Sequence, residues 1–437
     1  MFRDHWRKDR FTVALVAIAV VGLAWRIAYV VALRHRVVVG DGFVYHLTAL
    51  DLVNGVGFYN PATGSALASH PPVWPIVLAG PSLVGLKSWL SHQLFGCLVG
   101  TATIVMTGLA GRAAFGRRVG VIAAALAATY PMIWVYERPL LSESLVLLGT
   151  ATMIWLAYRF RAKPGLGLAI GCGAMVGMLA MTAAELILIT VLLVLPLIVS
   201  AREVPFKRRL VWLSAAAIAC LVVVVPWGAY NSTRFAKPVP FSTALGAELV
   251  QGNCGPAYHG KLLGYYDLGC LIFVKNISPD YSVADGQYRK KAFTFIDDNK
   301  SRVPIVMAAR VGRTFGVFRP AQQMHLEAGE TRTPLWVLQL GFVSYWLLLP
   351  FAAAGIVLAR RRRIAVFPLL AFPVEVLVAV VPTIGSVRYR APAEITLVLL
   401  AALGICGVID VVRRRRVDGT GDPTARAART STVSAVG

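Results

Sequence analysis

Asp41, Tyr45, His46 and His70 crowd a polar stretch, VGDGFVYHLTALDLVNGVGFYNPATGSALASHPPVWP, in a chain otherwise dominated by apolar runs. Asp41 and Tyr45 stand four residues apart, so a short helix puts them on one face, where both can address a single ligand. A carboxylate at a membrane edge is suited to take a proton from an incoming hydroxyl. Asp is also a common helix cap, and that plainer role stays open for Asp41. His46 and His70 read equally as site residues and as interfacial histidines, and His70, ahead of Pro71 and Pro72, shapes a turn.

Further ionisable residues fall at the same level of the chain's topology. Glu137 and Arg138 occupy a tight turn between the third and fourth apolar runs, and Glu143 lies about one helical turn into the fourth. Glu185 stands at the outer end of the sixth run, and Arg388 and Arg390 flank Tyr389 in SVRYRAPAE. Guanidinium groups suit a phosphate through paired hydrogen bonds, whereas the plainer role of such arginines is to anchor at the interface. Acids and arginines drawn from five segments to one level describe a site for an amphiphilic anion, because each charge is costly in lipid unless it lines a cavity. Glu137 is expected in a structural ion pair with Arg138 or another arginine, which leaves Glu143 as the better second acid. Arg26 and Glu375 fall within apolar runs and are expected to line a cavity or to pair with each other.

The elements that must position these groups are membrane helices. The chain is 57% hydrophobic and 15% charged, and its apolar runs are too long for ordinary core helices. Runs at 11–33, 92–110, 119–136, 139–158, 165–182, 184–200, 209–230, 334–358, 364–382 and 391–412 predict an all-α polytopic bundle of about ten transmembrane helices. A shorter run, 73–86, carries Pro75 and Pro81 and is expected to lie at the interface or re-enter. The net charge of +23 sits in short clusters between runs, where it sets topology, so nucleic acid is not an expected partner.

Every connection expected on the inner side is basic: Arg112 with Arg117 and Arg118, Arg159 with Arg161 and Lys163, Arg202 with Lys207 to Arg209, Arg360 to Arg363, and Arg413 to Arg416. The reading is a plasma-membrane protein with both termini cytoplasmic and the polar cluster facing the exterior. Residues 1–10 form the cytoplasmic N-terminus, and the first run is a retained helix rather than a cleaved signal. Residues 11–230 form a first transmembrane region containing an external loop, 34–91. Residues 231–333 form a second external region, 334–412 a second transmembrane region, and 413–437 a disordered cytoplasmic tail. Cys97, Cys172, Cys220 and Cys406 fall in apolar runs as small buried hydrophobes. Cys254 and Cys270 share the external region, where an oxidising compartment favours a disulfide over two free thiols. No spacing describes a metal site.

The run GDGFVYHLTALDLVNGVGFYNP followed by HPPVWPIVLAG resembles the first external loop of bacterial GT-C membrane glycosyltransferases, in the group of protein O-mannosyltransferases and aminoarabinose transferases. LLSESL, GMLAMTAAELIL, VPWGAYNSTRF, ALGAELVQGNCGPAYHGKLLGYYDLGC and RYRAP follow in the same order, so the likeness runs from about residue 39 to 400 and is most similar to actinobacterial members. The resemblance implies Asp41 as catalytic base, Glu143 as a second or acceptor-site acid, and Arg388 with Arg390 on the phosphate of a polyprenyl-phosphate-linked sugar donor. Tyr45, His46, His70, Glu137, Arg138 and Tyr389 complete the expected substrate-binding set. The implied partners are that donor, a lipid, glycan or protein acceptor, and membrane lipids. Metal use varies across this fold, so no cofactor is assigned and a divalent cation stays open. The chain departs from the pattern at Ala183 and Ala184, and at Tyr230 before Asn231, where the family often carries arginine.

Two other classes fit a charged cavity in a membrane. A flippase or transporter of a lipid-linked sugar gathers charge in the same way, although transporters often show two related halves and none are visible here. A non-catalytic scaffold that keeps the fold is the other alternative.

Overall fold

The computed structural model describes residues 2–60 and 63–419, with side chains from 10 to 413 in that range. Among the described residues the secondary structure is helical, with one isolated bridge between Tyr59 and Ala66 and no strand. Among the described residues five helices are long and apolar enough to cross a membrane: Arg10–Ala32, Trp89–Phe115, Phe206–Ser232, Leu335–Arg361 and Arg388–Arg413. Shorter apolar helices, among them Leu166–Ala180 and Phe367–Val380, fill in between them.

The departures from about ten full spans have local causes. The run expected at 119–136 breaks at Tyr130 before Pro131, giving Arg117–Thr129 and a turn at Pro131–Trp134. The run expected at 184–200 is irregular: a 3₁₀ turn at Ala184–Leu188, a π turn at Thr190–Val194 and an α turn at Leu195–Val199, which carries Pro196. The Glu143–Ala162 helix is buried along most of its length. Its core position explains how it carries a buried acid, Glu143, at its start, which a lipid-facing position would make costly. The final helix continues to Gly419, and the remainder of the expected tail, 420–437, lies outside the described residues.

Small residues let these helices approach closely, as packing without a hydrophobic drive between helices requires. A Cβ on Gly404 would stand 1.9 Å from the Phe351 carbonyl oxygen, so the Leu335–Arg361 and Ala391–Gly419 helices touch backbone to backbone. Outside the bundle, residues 231–333 fold into helices at Leu245–Gly252, Tyr281–Asp298, Val303–Thr314 and Pro320–Thr331. A Cys254–Cys270 disulfide closes the turn after the first of these. Buried Arg310 fastens this region down, donating to the carbonyls of Val381 at 2.8 Å and Gly252 at 2.6 Å. Gly385 donates its N–H to Gly264 O at 2.9 Å, which fixes the segment leading to Arg388. Tyr258 and Tyr265 are buried in this region's own core.

Candidate active site

Asp41 is the first residue of a helix, Asp41–Val53, entered through Gly40 at φ 62°. Only glycine takes that backbone readily, and the exposed helix N-terminus favours the carboxylate that follows it. Gly42 lets the helix lie flush on the 135–142 segment, since a Cβ there would stand 1.8 Å from the Pro139 carbonyl oxygen. The site is therefore set by backbone contact before any side chain is counted.

Arg388 is the hub. Its Nη2 lies 2.6 Å from Asp41 Oδ2, its Nε donates to Glu143 Oε1, and its Nη1 lies 3.4 Å from Glu330 Oε1. One guanidinium thus gathers carboxylates from the first polar stretch, the Glu143–Ala162 helix and the Pro320–Thr331 helix. The other oxygen of Asp41 lies 3.2 Å from His70 Nε2. Burial alone would raise the Asp41 carboxyl, but the Arg388 charge and the His70 hydrogen bond hold it well below the usual carboxylate range. Asp41 keeps 31% side-chain exposure, against 12% for Arg388, so the carboxylate is the open face of the cluster.

Tyr45 packs edge-on against His70 with centroids 4.8 Å apart and donates to Ser142 Oγ at 3.3 Å. Glu327 braces the Arg388 segment, accepting from Ser386 Oγ at 2.6 Å, Val387 N at 3.1 Å and Gln323 Nε2 at 2.9 Å. Burial and neighbouring Glu330 push the Glu327 carboxyl up to about 7. Tyr265 reaches in from the 231–333 region, donating to Glu330 Oε2 at 2.9 Å. Glu248 adds another acid on this side, pushed up to about 8 by burial and by the charges of Glu185 and Asp41. A narrow, mostly apolar pocket opens beside Arg388, lined by Tyr136, Pro139, Glu327, Leu338 and Val387.

Five residues expected at the site make their main contacts elsewhere. Arg390 is buried, with Nε on Glu394 Oε1 at 2.6 Å, Nη1 on Thr314 O at 3.1 Å and its guanidinium 3.6 Å from the Tyr345 ring centroid. The RYR segment is a 3₁₀ turn, so residues two apart point about 240° from each other and only Arg388 reaches the acids. Glu137 pairs with Arg26 at 2.7 Å, the structural ion pair with an arginine expected for it, so of the two roles open to Arg26 and Glu375 their mutual pairing is not formed. Arg138 is spent on the Arg36 and Thr331 carbonyls, at 3.4 and 2.7 Å. His46 stacks on Trp89 with centroids 3.6 Å apart and lies Nδ1 to Nδ1 against His92 at 3.0 Å. Tyr389 packs against Val376, Val380 and Ala393.

Sequence reasoning missed Glu330 and Glu327. Their i, i+3 spacing in QQMHLEAGE was the available signal, since it places both on one helix face. A metal does not fit the arrangement: among the described residues no group of three or more His, Cys, Asp or Glu side chains is placed to hold one. The acids nearest the centre already share a guanidinium.

The family model for dolichyl-phosphate-mannose-protein mannosyltransferase matches residues 69–230. No curated protein matches the chain. The oligosaccharyltransferase of Archaeoglobus fulgidus in its apo form is similar at 14% identity and a TM-score of 0.55, over 93% of this chain and 51% of that one. Archaeal oligosaccharyltransferase AglB from the same organism, in complex with an inhibitory peptide and a dolichol-phosphate, is similar at 12% identity and a TM-score of 0.53, over 98% of this chain and 54% of that one. ArnT from Cupriavidus metallidurans bound to undecaprenyl phosphate aligns at 17% identity and a TM-score of 0.45, over 90% of this chain and 77% of that one. The chain spans about half the length of the oligosaccharyltransferase structures it matches. Its helices are arranged as in those enzymes, and its fold is that of the GT-C membrane glycosyltransferases.

Proposed function

We propose that this protein transfers a sugar from a polyprenyl-phosphate donor to an acceptor hydroxyl at the outer face of the plasma membrane. The contact between Asp41 and Arg388 carries the reading: a carboxylate and a guanidinium meet at an open edge of an otherwise buried cluster, where they can serve as base and phosphate-binding cation. The dolichol-phosphate named with the archaeal structure supports a lipid phosphate as the donor's handle. The basic clusters between apolar runs support the orientation, with the termini inside.

In this reaction the acceptor oxygen bonds to the anomeric carbon as the bond from that carbon to the phosphate oxygen breaks, with inversion. Asp41 takes the hydroxyl proton, and Arg388 donates to the departing polyprenyl phosphate. While Arg388 holds Asp41, the carboxylate is too weak a base to be useful. A donor phosphate competing for the same N–H groups releases Asp41, whose proton affinity then rises. Donor binding thereby readies the base, and the sugar is exposed to attack only when its lipid phosphate is seated. Glu143 and Glu330 keep Arg388 in register through that exchange.

The test is binding. Purified protein is heated with a polyprenyl phosphate, the matching polyprenol or inorganic phosphate. Only the lipid phosphate is expected to raise the melting temperature, since a ligand at 100 times its Kd stabilises by about 2.7 kcal/mol. Arg388→Ala is expected to remove that rise. Equal stabilisation by polyprenol and polyprenyl phosphate would contradict a phosphate-reading site.

A further inference from the structure

We infer that His46, His92 and Ser82 form a proton-sensitive latch that seats the Asp41 helix, making His46 and His92 positioning residues for the site. His46 comes from the Asp41–Val53 helix, His92 from the start of the Trp89–Phe115 helix, and Ser82 from Val73–Leu83. The three elements therefore meet at one chain of hydrogen bonds. His46 Nδ1 lies 3.0 Å from His92 Nδ1, His92 Nε2 lies 2.7 Å from Ser82 Oγ, and Ser82 Oγ lies 3.4 Å from Leu78 O. His46 and His92 are 3% and 0% exposed, so neither ring draws on water to replace these bonds.

With the Ser82 hydroxyl donating to Leu78 O, Ser82 Oγ takes its own bond from His92 Nε2–H. His92 Nδ1 is then the acceptor, and His46 Nδ1–H is the donor. The reversed chain exchanges every role and leaves both rings equally neutral. In the first arrangement a proton on His92 Nδ1 would set two N–H groups head to head, and a proton on His46 Nε2 would leave the Nδ1–H bond but bury a cation with no carboxylate against it. Burial and neighbouring His92 push the His46 imidazole down to about 4.

No charge nearby compensates. On the same helix Asp41 and Asp51 lie five residues to either side of His46, about 140° around the axis. Asp41 is held by Arg388 and His70. Lys87, in the turn before the Trp89–Phe115 helix, donates to Asn54. Glu137 and Arg138, on the adjoining segment, are taken by Arg26 and by backbone carbonyls.

The sign follows. A histidine freed from the latch binds a proton below about pH 6.5, whereas the seated pair resists until well below that. The seated form is therefore fully favoured at neutral pH and loses ground as pH falls from about 6.5 toward 4. The Asp41 helix loosens in acid while the rest of the fold stays in place.

Hydrogen exchange followed by mass spectrometry tests this on the full chain in nanodiscs, at about pH 7.5 and pH 5, after correction for intrinsic rates. Segment 41–53 is expected to exchange about tenfold or more faster at the lower pH, with the external Tyr281–Asp298 helix unchanged. His46→Phe and His92→Gln are each expected to abolish the pH dependence. Equal exchange of segment 41–53 at both pH values in the wild type overturns the latch, as does equal acceleration of both segments. The exchange is read without turnover, so it stands or falls separately from Asp41's role as base, on which only the consequence for catalysis rests.

Discussion

Replacing Arg388 by alanine is expected to lower sugar transfer by about two to three orders of magnitude, the usual cost of losing a preorganised donor to a developing oxyanion. The effect has two sources in this site. The departing phosphate loses its cation, and Asp41, Glu143 and Glu330 lose the guanidinium they share. Without it, burial governs the Asp41 carboxyl, whose pKa moves up from well below the usual range. The residual kcat/KM should then show an acid limb at a measurable pH, which the free wild-type enzyme, with Asp41 held by Arg388, lacks. Arg388→Lys keeps the charge but not the planar fork, and it should fall between the two because an ammonium cannot serve three carboxylates in fixed directions. Transfer assays on protein verified as folded by size exclusion and melting would check this. Activity of Arg388→Ala within about threefold of wild type would set the arginine outside the chemistry.

Glu137→Ala is expected to cost about 3–5 kcal/mol of stability without touching the site directly. Arg26 and Glu137 are 0% and 1% exposed and pair at 2.7 Å inside the bundle. Arg26 also donates to Ala127 O at 3.1 Å and Gly22 O at 3.3 Å, so it stays in place when its anion is removed. A buried guanidinium without a counter-charge is the expensive outcome. Arg26→Met with Glu137→Met should recover most of the loss, because replacing both partners by apolar groups of similar size removes the unpaired charge. Unfolding in mild detergent across the single and double variants measures the coupling. Equal stability of Glu137→Ala and wild type would show that the pair contributes nothing.

The residues that were legible in the sequence were those whose cost in lipid demands a reason. Asp41, Glu143 and Arg388 stood out because each interrupts or borders an apolar run, and the structure brings all three together. What the sequence did not disclose depends on rotation about helix axes. Arg388 and Arg390 look alike in RYR, yet a 3₁₀ turn sends one to the acids and the other to Glu394. Arg26 took Glu137 rather than Glu375, because the partner is decided by which helices pack, not by depth along a run. Glu330 was hidden for a different reason: in a long external segment acids are ordinary, and only docking against the bundle gives this one a role. Helix lengths were blurred where Pro131 breaks an apolar run, and where the 184–199 run passes through 3₁₀ and π turns, that composition alone reads as regular.

The central claim is that Asp41 is the base of a lipid-linked sugar transfer, and the most direct measurement is transfer in proteoliposomes. Purified wild type and Asp41→Asn would be given radiolabelled polyprenyl-phosphate sugars and a cell-envelope acceptor fraction. Asparagine preserves the size of the side chain and removes the proton acceptor. The account predicts transfer from one donor by the wild type and a loss of about 10²–10⁴-fold in the variant, with both proteins folded. Transfer that survives the substitution would contradict the assignment of the base. No transfer by the folded wild type from any donor would contradict the enzyme itself and favour a flippase or a scaffold built on the same fold.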